Sequence, residues 1–287
     1  MAFFLLNARS RMSRPLLFVS FLLLCGCASS TRQPALPKVG SGASWSTDFE
    51  QPDWLVAWKP KQSGRFGLDN LAIVEESGAL FRRFLRASYP KGSSSPHGNR
   101  PGGVKDGGGQ FYGTLESGPV DHSFVRYYLR FDPGFDFVKG GKLPGFYGGT
   151  QVSGGRIPDG TDGFSTRFMW RAAGQGEVYA YLPSSALFGT SLGRGNFSFT
   201  AGVWQCLEQE VRLNTPGASD GVVRAWLDGK LVYQNEHLFF RSVGTLRIEG
   251  VFFSTFFGGA DASWAPTRDQ HADFAHFATG PARIGCD

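Results

Sequence analysis

Apolar and polar residues alternate with a period of two through most of the chain, and that period predicts strands. The clearest case runs from Phe164 to Pro183. Phe164, Thr166, Phe168 and Trp170 share one face, and Ser165, Arg167, Met169 and Arg171 share the other. Beyond Ala-Ala-Gly-Gln-Gly, the residues Val178, Ala180 and Leu182 share one face, while Glu177, Tyr179 and Tyr181 share the opposite one. The glycine-bearing connection reads as a short hairpin loop. A turn centred on Gly174 sets Arg167 opposite Tyr181, Met169 opposite Tyr179 and Arg171 opposite Glu177. Both apolar sets then face one core, and an Arg-Tyr-Tyr cluster stands on the other side.

The same pattern recurs along the chain. Phe81 to Tyr89 alternates, with Leu85, Ala87 and Tyr89 opposed to Phe84, Arg86 and Ser88. Ser123 to Phe131 sets Val125, Tyr127, Leu129 and Phe131 against Arg126, Tyr128 and Arg130. Val203 to Leu213 turns Val203, Leu207, Val211 and Leu213 inward. Within Val222 to Tyr233, Leu227-Asp228-Gly229-Lys230 is a two-residue hairpin signal. Leu246 to Phe257 is a long apolar run ending in Gly258-Gly259, and Asp273 to Ala278 with Ile284 supplies a closing strand. Residues 90–110 form a polar, glycine-rich loop of a length often functional. No long helical period and no internal repeat is present. Many antiparallel strands with short turns predict an all-β protein, a β-jelly-roll sandwich of the concanavalin-like kind.

The first residues break the pattern. Arg9, Arg11 and Arg14 precede an apolar stretch, Leu16 to Leu24, that is short for a membrane span. Leu24-Cys25-Gly26-Cys27 then resembles a bacterial lipoprotein processing box, with Cys25 as a departure from it. We expect residues 1–26 to be a signal peptide, Cys27 to be lipidated, 27–44 to be a flexible tether and 45–287 to be the folded domain. An ordinary secretory signal is the other reading. Either way the domain works outside the cytoplasm, lipid-anchored in the bacterial envelope, with the outer membrane as its expected address, or else secreted. The formal charge of +5 shrinks accordingly: the leader holds three of the 29 basic residues and no acid, leaving 26 against 24, a net of +2. A nucleic-acid partner would ask for more, so any anionic partner must be held by a local patch. Of four cysteines, Cys206 and Cys286 lie beyond the leader, and export would let them pair.

Several chemistries find no support. The five histidines lack metal-ligand spacing, and neither a Gly-x-Ser-x-Gly elbow nor a phosphate-binding glycine loop opening a helix is present. A sandwich glycosidase needs two carboxylates across a cleft. The hairpin offers Glu177 alone, and Glu208 with Glu210 reads as a solvated edge. Lysine, arginine and tyrosine remain. They suit β-elimination on a uronic acid polymer: a cation at the carboxylate stabilises the developing enolate-like charge, a base takes the C5 proton, and an acid protonates the leaving oxygen. Tyrosine can serve as either if cations lower its pKa. From pattern alone, the same residues also read as ordinary strand aromatics and surface charges.

Lys-Leu-Pro-Gly-Phe-Tyr-Gly-Gly (142–149), Phe-Ser-Thr-Arg-Phe-Met-Trp-Arg (164–171), Tyr-Ala-Tyr-Leu-Pro (179–183) and the late Phe-Ser-Thr-Phe-Phe-Gly-Gly resemble the family-14 polysaccharide lyases over roughly residues 80–278. The resemblance implies a β-jelly-roll lyase whose site is a lysine in the Lys-Leu-Pro-Gly loop, a Ser-x-Arg and a Tyr-x-Tyr: Lys142, Ser165, Arg167, Tyr179 and Tyr181. Lys142 enters through the resemblance alone. We expect Arg167 and Lys142 to act on the carboxylate, Tyr179 and Tyr181 to move protons, and Ser165, Arg171, Arg126 and Tyr128 to bind substrate. Lys142 is the alternative base. The expected substrate is alginate, then glucuronan, with no metal or cofactor, and the expected state is a monomer. The rivals are a non-catalytic carbohydrate-binding lipoprotein on the same fold and an envelope-assembly protein whose site is unused.

Overall fold

The period-two runs fold into fourteen strands. The structure, a computed structural model, describes residues 40–94, 106–150, 152–259 and 261–286. In chain order the strands are β1 (Trp45–Thr47), β2 (Leu71–Glu75), β3 (Arg83–Tyr89), β4 (Gly109–Thr114) and β5 (His122–Phe131). Next come β6 (Gly140–Gly149), β7 (Gly163–Arg171), β8 (Gln175–Tyr181) and β9 (Thr190–Ser198). The last are β10 (Gln205–Arg212), β11 (Gly221–Leu227), β12 (Lys230–Leu238), β13 (Gly250–Phe257) and β14 (Gln270–Gly280). The helices among the described residues are single 3₁₀ turns of three residues. The expected signal peptide, Cys27 and the expected tether as far as residue 39 lie outside the described residues.

Two antiparallel sheets stack as a β-jelly roll. One runs β12-β11-β10-β5-β14-β3-β2, with β1 added to β14; the other runs β4-β13-β6-β7-β8-β9. The inward residues of both sheets form one core, among them Leu85, Ala87, Tyr127, Leu129, Phe168, Trp170, Val178, Phe253 and Phe274. Its aromatics meet mostly edge to face, as Trp170 does with Phe257 at 5.1 Å, the arrangement the ring quadrupole favours. Asp228 and Gly229 both take positive φ, 49° and 76°, so Leu227 pairs with Lys230 across a two-residue hairpin.

Three expectations change here. The run at 273–278 does not close the sheet, because β14 lies inside it between β3 and β5. Val203 precedes β10 and is exposed rather than inward. Glu208 and Glu210 are buried rather than a solvated edge, because β10 is interior, between β5 and β11. Glu210 meets His122 at 2.9 Å and Arg224 at 2.7 Å, whereas Glu208 accepts the backbone N–H of Ile284 at 2.6 Å. The C-terminal segment thus covers the strand face that alternation left open. A Cys206–Cys286 disulfide, with Cα atoms 5.8 Å apart, ties it there.

Candidate active site

Three adjacent strands, β6, β7 and β8, build the floor of a cleft on the side of the second sheet away from the core. The strand β6 supplies Lys142 through a bulge. Lys142 pairs with Met169 and Gly145 with Arg167, so three steps of β6 fit against two of β7. Pro144 falls inside this irregularity, where a missing N–H costs the ladder little. The extra residue resets the alternation. Leu143 and Phe146 both enter the core, while Lys142 lines the cleft and Tyr147 packs with Tyr112 and Phe252 outside it. Gly145 is required: a Cβ there would lie 2.0 Å from the Thr166 carbonyl oxygen. Lys142 is therefore a strand residue, not a loop residue.

The β7–β8 hairpin has the expected faces and a different register. Ala173 and Gly174 take positive φ, 56° and 76°, and centre the reversal one residue earlier than Gly174. Tyr179 thus stands opposite Arg167, Tyr181 opposite Ser165, and Glu177 opposite Met169. The shift is by whole pairs, so no side chain changes face.

These residues converge on a cleft of about 730 Å³, lined by Lys142, Arg167, Met169, Arg171, Tyr179 and Tyr181. Lys142 is only 9% exposed. Its Nζ lies 2.9 Å from Met169 Sδ and 4.0 Å from the centre of the Tyr179 ring. Burial pulls the amine well below its ordinary pKa, and the Arg167 and Arg171 charges pull it further, against the attraction of Glu177. Arg167 is 2% exposed, lies over the Phe252 ring and donates to Ser254 Oγ at 3.1 Å; that hydroxyl donates to Gln110 Oε1. No carboxylate among the described residues pairs with Arg167, and its buried Nε has no partner. A buried cation left without an acid is costly, and an anion entering the cleft would relieve it.

Arg171 differs. Its Nε and NH2 donate to Glu177 at 2.9 and 2.6 Å, so this lining residue brings its counter-charge with it. Tyr181 Oη accepts the Gly155 N–H at 3.1 Å, and the two tyrosine rings meet edge to face at 5.8 Å. The Tyr179 hydroxyl is pushed up to about 12 by burial and by Tyr181, which outweigh the opposing pull of Arg167 and Arg171. The guanidinium expected beside Tyr181 stands opposite Tyr179 instead, and its downward pull is outweighed.

Two further expectations fail. Ser165 is on the cleft face of β7 but fully buried, and it donates to the Val152 carbonyl at 2.6 Å, so its hydroxyl is committed to the 152–157 segment instead of a ligand. Arg126 and Tyr128 lie on β5, in the other sheet; their side chains point from its outer face, with the whole sandwich between them and the cleft. The polar face of β5 resembles that of β7 in sequence, and sheet membership separates them. The residues that sequence reasoning missed are Gln110, Tyr112, Arg156, Phe188 and Trp264, all in the cleft wall, and Ser254 beneath Arg167. Gln110 and Tyr112 sit on β4, a short strand at the end of a stretch read as loop. Ser254 lay inside a quoted motif without a role. Among the described residues, no group of three or more His, Cys, Asp or Glu could hold a metal.

A jelly roll bearing a basic, tyrosine-lined cleft on one sheet suits a polyanionic chain, and the family comparison makes this one a polysaccharide lyase. The profile of the polysaccharide lyase 14 family matches residues 79–277, and the chain belongs to that family. The alginate lyase of this family from Aplysia kurodai is 31% identical; the match covers 84% of this chain and 99% of that one, with a TM-score of 0.71. An alginate lyase from Chlorella virus, 24% identical, matches at a TM-score of 0.65 over 76% of this chain and 91% of that one. The endo-β-1,4-glucuronan lyase of Trichoderma reesei shares the fold at 11% identity, over 84% of this chain and 96% of that one, with a TM-score of 0.56. No curated protein sequence matches the chain.

Proposed function

We propose that this lyase cleaves alginate by β-elimination, with Arg167 holding the uronate carboxylate, Lys142 as the base and Tyr179 as the acid. The observation that carries the reading is the buried Arg167, which faces the cleft without a carboxylate among the described residues. The 31%-identical relative is an alginate lyase, which favours alginate over glucuronan. In the reaction the carboxylate sits on Arg167, which stabilises the enolate-like charge as the C5 proton leaves. The electron pair of the C5–H bond becomes the C4–C5 double bond. The bond from C4 to the glycosidic oxygen breaks, and that oxygen takes a proton.

The two protonation states divide the roles. An amine held well below its ordinary pKa gives up its proton more readily than a free lysine, so Lys142 can serve as the base. A phenol at about 12 keeps its proton at neutral pH, so Tyr179 can donate it. Tyr181 orients the 152–157 segment through Gly155, and Arg171 and Arg156 lie along the path of the neighbouring uronates. The reading extends to a monomer in the outer membrane, carried on a lipid at Cys27; the Leu24-Cys25-Gly26-Cys27 box supports the lipid.

The test is to incubate the mature protein with alginate and with glucuronan and follow the ultraviolet absorbance of the conjugated C4–C5 double bond. Absorbance rising with alginate supports the reading. Rise with glucuronan alone moves the substrate. Binding of alginate without any rise leaves a carbohydrate-binding protein on a lyase fold.

A further inference from the structure

The core between the two sheets is almost wholly apolar, yet among the described residues three polar side-chain contacts cross it. Tyr127 on β5 donates to the Pro144 carbonyl on β6 at 3.1 Å. Tyr89 on β3 meets Thr255 on β13, hydroxyl to hydroxyl, at 2.5 Å. Thr166 on β7 donates to Gln209 Oε1 on β10 at 2.8 Å. All six residues lie in the two facing sheets, and Tyr89, Tyr127, Thr166, Gln209 and Thr255 are fully buried. Polar groups in a dry core are tolerated only when paired, and an apolar pair of the same shape would serve stability as well.

Their placement is the informative feature. Each contact grips the second sheet beside a cleft residue. Thr166 sits between Ser165 and Arg167. Thr255 sits between Ser254, which holds Arg167, and Phe256, which lines the cleft. Pro144 lies in the bulge that turns Lys142 outward. At this same level the ladder is irregular. Between the rung of Lys142 and that of Gly145, β7 spends two steps, β6 three and β13 four, because Phe256 pairs with Lys142 and Phe252 with Gly145. Such a fan leaves backbone groups out of the ladder and lets the register drift. The Pro144 carbonyl is taken by Tyr127 from across the core.

We propose that Tyr127, Tyr89 and Gln209 are positioning residues, with which the far sheet holds Lys142, Arg167 and Ser254 at fixed spacing under the substrate. The inference rests on the lyase reading of the cleft. Tyr127 is the chief of the three, since its hydroxyl fixes the bulge on which Lys142 depends. When that hydroxyl is removed, the Pro144 carbonyl must find another partner, the bulge relaxes, and the Lys142 amine becomes better solvated and more readily protonated.

The experiment compares Tyr127→Phe, Tyr89→Phe and Gln209→Leu with Val223→Ala, a change in the same core on β11, a strand that carries none of the contacts. Two readouts are taken on folded protein. The first is kcat and KM on alginate. The second needs no substrate: the pH dependence of Lys142 acylation by an amine reagent, followed by peptide mass. We expect Tyr127→Phe to lower kcat by about tenfold with KM within about twofold, the split of a group that acts on the transition state. We also expect the midpoint of Lys142 acylation to move to higher pH, with smaller effects from the other two variants. Val223→Ala should lower the melting temperature and move neither readout. A folded Tyr127→Phe with wild-type kcat and wild-type Lys142 titration overturns the proposal, as does the same shift in Val223→Ala. If Tyr127→Phe does not fold, Tyr89→Phe and Gln209→Leu decide by the same readouts, and failure of all three to fold overturns it in favour of plain core stability. A wild type inactive on every uronate polymer would sink the lyase substrate reading, while the Lys142 titration would still test the contacts.

Discussion

Tyr179 stands directly opposite Arg167 across β7 and β8, and burial still pushes its hydroxyl up to about 12. A guanidinium across the ladder is thus not enough to make a phenolate, because desolvation and the second phenol, Tyr181, work against it. The Tyr179 hydroxyl is a donor at neutral pH. Phenylalanine in its place keeps the ring that Lys142 lies against and removes only the proton. We expect Tyr179→Phe to keep its melting temperature and its affinity for alginate while kcat falls by about 10²-fold or more. A kcat within about threefold of wild type would assign the acid elsewhere, with Tyr181 next.

Lys142 makes an opposite demand. As a base it works only when neutral, and its folded pKa lies well below the ordinary 10.5. Activity should therefore rise as pH climbs through that lowered value and be lost as pH falls below it. If the lysine served only as a charge, the limb would run the other way, with activity lost as pH rises. Arginine keeps a charge and cannot give up its proton in this range. We expect Lys142→Arg to lose about 10²-fold or more in kcat at every pH and to abolish the acidic limb. Retention of that limb in the variant would remove Lys142 as its source.

Arg167 is tested by lysine. A planar fork can hold a carboxylate through two parallel donors, and an ammonium cannot. Its guanidinium is also fixed on three sides by Ser254, Phe252 and the strand itself. We expect Arg167→Lys to fold and to lose about 10²-fold in kcat/KM, the size of one lost donor at a developing anion. Near-wild-type turnover in the folded variant would take Arg167 out of the mechanism.

What could be read from the sequence follows from the period of two. Parity put Arg167, Tyr179 and Tyr181 on one face, and a register error of one whole pair did no harm to that grouping. Parity could not say what covers a face. Glu208 and Glu210 looked solvated because the C-terminal segment that caps Glu208 lies far away in sequence. Nor could parity say which sheet a strand joins, so Arg126 and Tyr128 resembled site residues from the wrong side of the sandwich. Lys142 was out of reach for another reason: a bulge at Pro144 breaks the alternation just where the lysine turns outward. The cross-core contacts were hidden as well, since Tyr127 and Tyr89 read simply as apolar inward positions.

The N-terminus carries its own test. The sequence Leu24-Cys25-Gly26-Cys27 supports lipidation of Cys27. Cys27→Ser should release the protein from the membrane fraction of the producing bacterium, and the wild-type N-terminal peptide should carry the mass of an acylated cysteine. A variant that still sediments with membranes, together with an unmodified wild-type peptide, would refute the anchor.

The C-terminal disulfide should matter for stability and not for chemistry. Cys206 and Cys286 are separated by 80 residues, and the bond lies on the outer face of the first sheet, away from the cleft. In the chain-entropy view, a loop of that length constrains the unfolded chain by about 4 kcal/mol. The bond also keeps residues 284–286 over β10, where Glu208 accepts the N–H groups of Ile284 and Gly285. Without it the segment can lift and leave a buried carboxylate facing water with fewer donors. We expect Cys286→Ser, or reduction of the wild type, to lower the melting temperature by several degrees or more. Below the new transition, kcat and KM on alginate should stay within about twofold of wild type, because no cleft residue touches the bond. Loss of activity in protein that is still folded would mean that the first sheet transmits strain to the floor, and that the two sheets are coupled more tightly than their three polar contacts require.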